Sequence, residues 1–469
     1  MEAKKSTVNF ERNAFLVKDL TKGNIFKNFL IFTFPLILTG ILSQSFGIIN
    51  SMMVGKILGE NELAYIGSTA SLVEVLNAVI WGYGTGAAIY IGRLFGSKDI
   101  KRMVNAIKTN IIVACGISLV ITVVTIVFHK PIFKLLQVGS DIYYGSFIYY
   151  AIIIGGLVIF TISWCSVYIF TALGDSKFPL LMSVITSLMT VAGNAFVLMF
   201  LKTGVWGTAA VSVIATLVVD ICYIYKYKKL FKSIGAEKQK IVFDKRDILK
   251  SAALGIPCMF QQTVMYASSA GVQPMINALG QAAIAAYSIC LRIYNLNSVV
   301  FQNISKCLSS YCAQSVGSGK LSQINKGIRT CLILGFAFVV PLMILCFIFP
   351  VQISGWFFND TSSESALLVQ RYILLCVPFF VFQILNNMFH NLFRGAMAAN
   401  IAAITTTFYT IVRIVSTYLL VPLWKMDGVY AGFIIAWVLE VILCSAIFFS
   451  GKWKSKEIRE LEAEEKQAH

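Results

Sequence analysis

Long apolar runs, separated by short polar segments, fill the chain from residue 28 onward. Twelve of them reach about 20 residues or more, the length a helix needs to cross the hydrocarbon of a bilayer. In the first half they cover 28–54, 62–92, 104–128, 142–172, 179–201 and 205–226. In the second they cover 250–279, 281–315, 328–350, 366–394, 401–423 and 428–450. An open strand in lipid would leave backbone groups unpaired, so the pattern predicts helices. The domain organisation expected is an N-terminal segment 1–24, a first lobe 25–230, a basic linker 231–248, a second lobe 249–450 and a charged tail 451–469.

The two halves share a pattern. TFPLILTGI around Pro35 matches LGIPCMFQQ around Pro257, LGENELAYIG matches LGQAAIAAYS, and FGSKDIKRMVNAIK matches VGSGKLSQINKGIR. The offset stays between 221 and 224 along the whole half, as a duplication requires. Six spans per repeat is an even number, so both repeats insert the same way round, related by an axis along the membrane normal. The fold class predicted is an all-α polytopic membrane protein of twelve transmembrane helices in two six-helix repeats.

Composition sharpens the picture. Hydrophobic residues make up 57% of the 469 and charged ones only 13%, about half the share usual in soluble domains. The mean hydropathy is +0.76. The net charge of +17 could point to nucleic acid, but the cations lie in the segments between apolar runs. There they act as topology signals, and no nucleic-acid partner is expected. Lys4, Lys5, Arg12, Lys18 and Lys22, then Lys98, Lys101 and Arg102, residues 226–246, Lys320, Lys326 and residues 452–459 crowd one side. The other side shows only Lys56, Lys130, Lys134, Lys202 and Lys425. The positive-inside rule therefore puts both termini in the cytoplasm of a plasma or inner membrane. Residues 1–27 are polar and charged and have no apolar core, so no cleaved signal peptide is expected. The eleven cysteines are scattered singly through apolar runs and read as buried free thiols.

Enzymatic motifs fail. GSGKLS approaches a phosphate-binding loop, but Gln314 and Leu321 stand where that loop needs Gly and Ser or Thr. Without such a loop, an ion gradient is the expected energy source. GYGTG at Gly82 follows no strand and reads as close helix packing through small residues. No metal-ligand pattern occurs among the three histidines. No enzyme, cofactor or structural metal is expected.

Polar stripes inside the apolar runs are the candidate pathway. Arg292, Asn295, Gln302, Asn303, Lys306 and Ser310 fall within a sector of about 100° on one helix. Gln383, Asn386, Asn387, His390 and Arg394 form a second series, and Gln261, Gln262, Tyr266 and Gln273 a third. Interhelical hydrogen bonding explains many lone amides. Aligned series that include cations must face protein or water and mark a route. In the first half Glu74, Asn77, Trp81 and Thr85 share one face. Glu74 lies about 18 Å along its helix, near the middle of the bilayer, and is a candidate proton carrier. Its plainer reading is a structural partner for a buried Arg. Asp220 is expected near the cytoplasmic end in a surface pair, and Glu440 in a structural pair with Arg413.

Two six-helix repeats, Pro35 early in the first span, VGKILGENELAYIG, RLFGSKD, TALGDSKFP and GVWGTAAVSVIAT together resemble the multidrug and toxic compound extrusion (MATE) transporters over residues 25–450. The resemblance implies a V-shaped pair of lobes and export of amphipathic organic compounds driven by sodium or proton entry. Members of that family often carry Asp where this chain has Asn50, and a second acid four residues after the Asn matched by Asn194, where this chain has Leu198. The resemblance thus implies a coupling site that has lost its charge. Two functions remain open: an antiporter for drugs or metabolites with altered coupling residues, and an exporter or flippase of an anionic or lipid-linked amphiphile. Arg292, Lys306, His390, Arg394 and Arg413 favour the second, since buried cations seek anionic groups. A receptor or structural membrane protein fits the mid-membrane stripes less well. The expected partners are the lipid bilayer and a small organic substrate; the chain is expected to be a monomer.

Overall fold

A computed structural model of the chain describes residues 19–58, 60–136, 138–237, 239–358, 360–454 and 458–462. Residues 1–18 of the expected N-terminal segment and 463–469 of the expected tail lie outside the described residues. The described residues form helices and turns, with no strand. The first half contains α1 (Ile25–Leu58), α2 (Glu60–Gly96), α3 (Ile100–Val127), α4 (His129–Leu135), α5 (Tyr143–Gly155), α6 (Leu157–Ala172), α7 (Lys177–Phe196) and α8 (Val205–Ser233). The second contains α9 (Lys245–Asn277), α10 (Gln281–Gly317), α11 (Ser322–Ile348), α12 (Pro350–Gly355), α13 (Glu364–Cys376), α14 (Phe380–Gly395), α15 (Ala399–Trp424) and α16 (Met426–Phe449).

Each of the twelve expected spans falls on a helix or a helix pair. Ten helical segments are long and apolar enough to cross a membrane alone. The pair α5 and α6 makes an eleventh, bent by 46° where Gly155 and Gly156 meet. The twelfth, α9, has 33 residues but is too polar to pass on apolarity. It opens with Lys245, Arg246, Asp247 and Lys250 and carries Gln261, Gln262 and Gln273 further on. Large apolar side chains cover the outer faces: Phe200 is 75% exposed, Leu419 67% and Val120 61%. Exposure on that scale suits lipid contact. Nine of the eleven cysteines are buried and all are free.

The described chain gathers into two compact units. Unit 1 holds Asp19 and Leu38–Met259; unit 2 holds Leu20–Ile37 and everything from Phe260. The division does not follow the linker at 231–248. Instead α1 passes from unit 2 to unit 1 after Ile37, and α9 passes from unit 1 to unit 2 after Met259. The two crossings are one repeat offset apart (259 minus 37). Each lies two residues beyond a proline, Pro35 or Pro257, and proline removes a helical hydrogen bond and favours a bend there.

Within unit 1, α2 and the first half of α9 meet at backbone range. A Cβ on Gly82 would stand 2.3 Å from Met259 Cα, and one on Gly86 2.3 Å from Gly255 N. GYGTG is therefore a close-packing motif. The linker is stitched to α3: Asn105 Nδ2 donates to Val242 O at 2.7 Å, Val242 N donates back to Asn105 Oδ1 at 2.9 Å, and Lys108 Nζ donates to Gln239 O at 2.8 Å. At the start of α9, Asp247 accepts from Tyr90 OH at 2.7 Å and from Arg102 Nη2 at 2.5 Å. In unit 2 the segment before α1 and the first turns of α1 dock on α10. Leu20 N donates to Gln314 Oε1 at 2.9 Å, and the Phe29 ring lies edge-on to Tyr311 at 5.4 Å.

The Asp247 cluster carries a pH dependence. Burial alone would raise the Asp247 carboxyl, but the hydrogen bonds from Arg102 and Tyr90 and the charge of Arg102 outweigh it, leaving the group below its ordinary value. A lowered folded-state value stabilises the fold above the ordinary carboxylate range, and that stability is lost as the pH falls through the lowered value. Asp247→Asn should therefore melt earlier than the wild type at neutral pH, with the gap closing in acid. Thermal melts of both proteins between pH 7 and pH 3 measure it; a gap that does not change with pH would show that the carboxylate charge contributes nothing.

Candidate functional site

In unit 1 the amides of α1 and α7 meet. Asn194 is fully buried and its Nδ2 donates to Asn50 Oδ1. Among the described residues, Asn194 Oδ1 has no donor. These two residues are 144 apart, and no pattern along the chain pairs them. Glu74 and Asn77 are half-buried on α2. Further along that face the Trp81 ring lies edge-on to Trp164 of α6 at 5.4 Å, and Thr85 Oγ1 donates to Trp81 O at 2.8 Å. The loop TALGDSKFP is a helix start: Asp175 Oδ1 accepts from Lys177 N and Phe178 N, both at 3.1 Å. Its other oxygen pairs with Lys226 of α8, whose ammonium also sits 3.9 Å from the centre of the Phe178 ring.

Asp220 differs from expectation. It is 2% exposed, and among the described residues its carboxylate oxygens make no hydrogen bond and no ion pair with a cation. The reason is position: α8 runs on to Ser233, so residue 220 lies midway along the helix rather than at its end.

In unit 2 the α10 stripe runs from surface to core. Arg292 and Asn295 are exposed, Gln302 and Lys306 half-buried, Asn303 and Ser310 buried. Lys306 Nζ donates to Asn303 Oδ1 at 3.3 Å. Gln261 of α9 is fully buried at a junction of three helices. Its Nε2 donates to Thr406 Oγ1 at 2.6 Å and Ala402 O at 3.2 Å on α15. Its Oε1 accepts from Arg394 Nε at 3.0 Å and Nη2 at 2.5 Å on α14. Gln262 and Tyr266, also on α9, are half-buried.

The acid Glu440 pairs not with Arg413 but with His390, 3.1 Å away. Both acid and imidazole are nearly sealed from solvent. Arg413 of α15 has other partners. It donates to Tyr287 OH at 3.0 Å and Ser268 Oγ at 3.1 Å, and its guanidinium lies 4.0 Å from the centre of the Phe433 ring. Those neutral partners, on three further helices, carried no sequence signal. Gln383 Oε1 accepts from Tyr294 OH at 3.5 Å, and Asn386 Nδ2 donates to Trp437 O at 3.2 Å. The polar residues of α10 and α14 thus resolve into side-chain pairs: Gln261 with Arg394, Lys306 with Asn303, His390 with Glu440.

The MatE family model matches the chain twice, over residues 35–196 and 257–419. The second match begins 222 residues after the first (257 minus 35), which is the offset of the duplication. The chain is 23% identical to a probable multidrug resistance protein, YoeA, of Bacillus subtilis, over 94% of this chain and 97% of that one. It is 21% identical to a second probable multidrug resistance protein of the same organism, YpnP, over 94% of this chain and 98% of the relative. A solved structure described as an outward-facing conformation of a multidrug resistance MATE family transporter superposes with a TM-score of 0.86, at 17% identity, over 94% of this chain and 98% of that one. A MATE structure in a bent conformation gives 0.85 at 17%, over 95% and 98%. The fold, the repeat and the matched residues agree: the chain belongs to the MatE family of multidrug efflux transporters and is a multi-pass membrane transporter, not an enzyme.

Proposed function

We propose that this transporter exports amphipathic organic compounds by alternating access, with ion entry as its energy source and both termini in the cytoplasm. The observation that carries this reading is the set of half-buried polar side chains, Glu74, Asn77, Gln262, Gln302 and Lys306, on helices whose outer faces are apolar. Such side chains are costly in a bilayer and mark a route. The Asn50–Asn194 contact is neutral and cannot carry a proton. Glu74 is the proton carrier of unit 1 in this scheme. Glu74→Gln should leave ligand binding in place and abolish the response of uptake to a proton gradient. Asn50→Asp should add a new pH or sodium dependence. Gradient-driven uptake into proteoliposomes at several pH values tests both. An unchanged pH profile in Glu74→Gln would leave Glu74 a structural residue.

A second reading, an anionic amphiphile as cargo, rests on the cations of unit 2. Among the described residues, Arg292, Lys306, Arg394 and Arg413 form no ion pair with a carboxylate. Of these, Lys306, Arg394 and Arg413 lie at least half-buried, and uncompensated cations inside an apolar bundle favour an anionic ligand.

A further inference from the structure

We infer that Lys306 and Arg394, steadied by Gln261 and Asn303, form a binding point in unit 2 for the phosphate or carboxylate group of an amphiphile; the inference rests on the second reading above. Four observations support it. The two cations stand on helices that pack against each other, α10 and α14, so like charges are brought together at a cost that an anion between them would recover. Their closeness is built into the backbone. Gly395, next to Arg394, packs so tightly on α10 that a Cβ there would stand 2.5 Å from Ser309 O, and Ser309 is one turn beyond Lys306.

The donors are also left spare. A guanidinium has five N–H donors and an ammonium three. Arg394 uses only Nε and Nη2, both on the one Gln261 oxygen, and among the described residues its Nη1 makes no hydrogen bond. Lys306 makes a single long contact, to Asn303. Finally, the partner amide is fixed. Gln261 Nε2 is held by Thr406 and Ala402, so its oxygen must face Arg394, and the guanidinium is held in one plane. A fixed fork beside a free ammonium is the geometry that phosphate and carboxylate groups match, through charge-assisted and bidentate hydrogen bonds. Arg413 is held differently: its two terminal nitrogens donate to Ser268 and Tyr287 and its face lies on Phe433, while its buried Nε finds no partner among the described residues.

The test uses the purified full chain in phosphatidylcholine nanodiscs, with dodecyl phosphate and dodecyltrimethylammonium as probes. Dodecyl phosphate should bind at least about tenfold more weakly to Lys306→Gln and to Arg394→Gln, the loss of a charge-assisted hydrogen bond. The ammonium probe should change by less than about threefold on the same arithmetic. Lys326→Gln, an exposed lysine beyond the stripe, should change neither. Arg394→Lys keeps the charge but loses the fork, so it should bind dodecyl phosphate more weakly than the wild type and more tightly than a charge-free variant, which reads the site even if Arg394→Gln proves unstable. Inorganic phosphate should compete with dodecyl phosphate if the headgroup alone is recognised. Adding phosphatidic acid to the nanodisc separates the sources: competition assigns the site to membrane lipid headgroups, and its absence to dissolved cargo. Equal affinity of wild type and both glutamine variants, or parallel loss of both probes, would overturn the site. Uptake of dodecyl phosphate keeps the two levels apart. Transport that ignores both variants would sink the site and leave the anionic-cargo reading. Variant-sensitive binding without transport would do the opposite.

Discussion

Gly86→Leu should yield no folded protein, and Gly82→Leu should behave the same way. A new Cβ at either position meets the backbone of α9, at 2.3 Å in both cases. Overpacking costs about 1–3 kcal/mol where neighbouring side chains can shift. Here the obstacle is main chain, which cannot shift without parting α2 from α9, so the cost should exceed that range. The same motif supplies its own controls. Gly84 faces the Tyr168 ring, with its closest atom at 3.1 Å, so Gly84→Ala should be mild. Gly116 has nothing within 4 Å, and Gly116→Leu should be nearly silent. Size-exclusion profiles and thermal melts of the four variants decide it; normal melting of Gly86→Leu would mean that the α2–α9 contact is looser than described.

His390→Leu should destabilise unit 2 by about 3–5 kcal/mol, the usual cost of stranding one member of a buried pair. Glu440 is 3% exposed, and among the described residues no other cation pairs with it. The double change His390→Leu with Glu440→Leu should recover most of the loss, because apolar side chains of similar volume fill the space without an orphaned charge. The single Glu440→Leu should cost less than His390→Leu, since a neutral imidazole is easier to bury than a carboxylate. Denaturation of the three variants in one detergent gives the cycle. Equal losses that simply add in the double variant would show that the two groups do not interact.

Apolar run length marked all twelve segments, 250–279 among them, because lipid demands the same thing of every outer face. The weakest of them is α9, whose start is charged and whose middle carries Gln261 and Gln262. The repeat offset supports that segment, since Pro257 answers to Pro35. The bend between α5 and α6 falls at Gly155–Gly156, inside a run that hydropathy reads as one continuous span. The polar residues of the site were legible as residues and illegible as pairs. Asn50 and Asn194 are 144 positions apart, and Gln261 and Arg394 133. A stripe on one helix says which side is polar, not which helix it meets. The same gap misdirected Glu440, expected beside Arg413 and found beside His390. Asp220 was misplaced for a different reason: its helix extends past the apolar run, so hydropathy set the membrane end too early.

The exchange of helix halves between the units bears on how the protein is made. The ribosome delivers residues 20–37 first, yet they belong with a unit whose remainder starts at Phe260. At about 5–20 residues per second, the opening turns of α1 wait roughly 10 to 45 seconds for their neighbours to be synthesised. Unit 1 has the converse delay, since α2 meets its glycine-matched partner only when the first half of α9 has emerged. Neither half of the gene therefore encodes a finished unit. Cutting the chain in the linker would give two fragments that each lack a piece carried by the other. An ancestral single repeat would have needed a second copy of itself, with the early halves traded between the two, before either could fold.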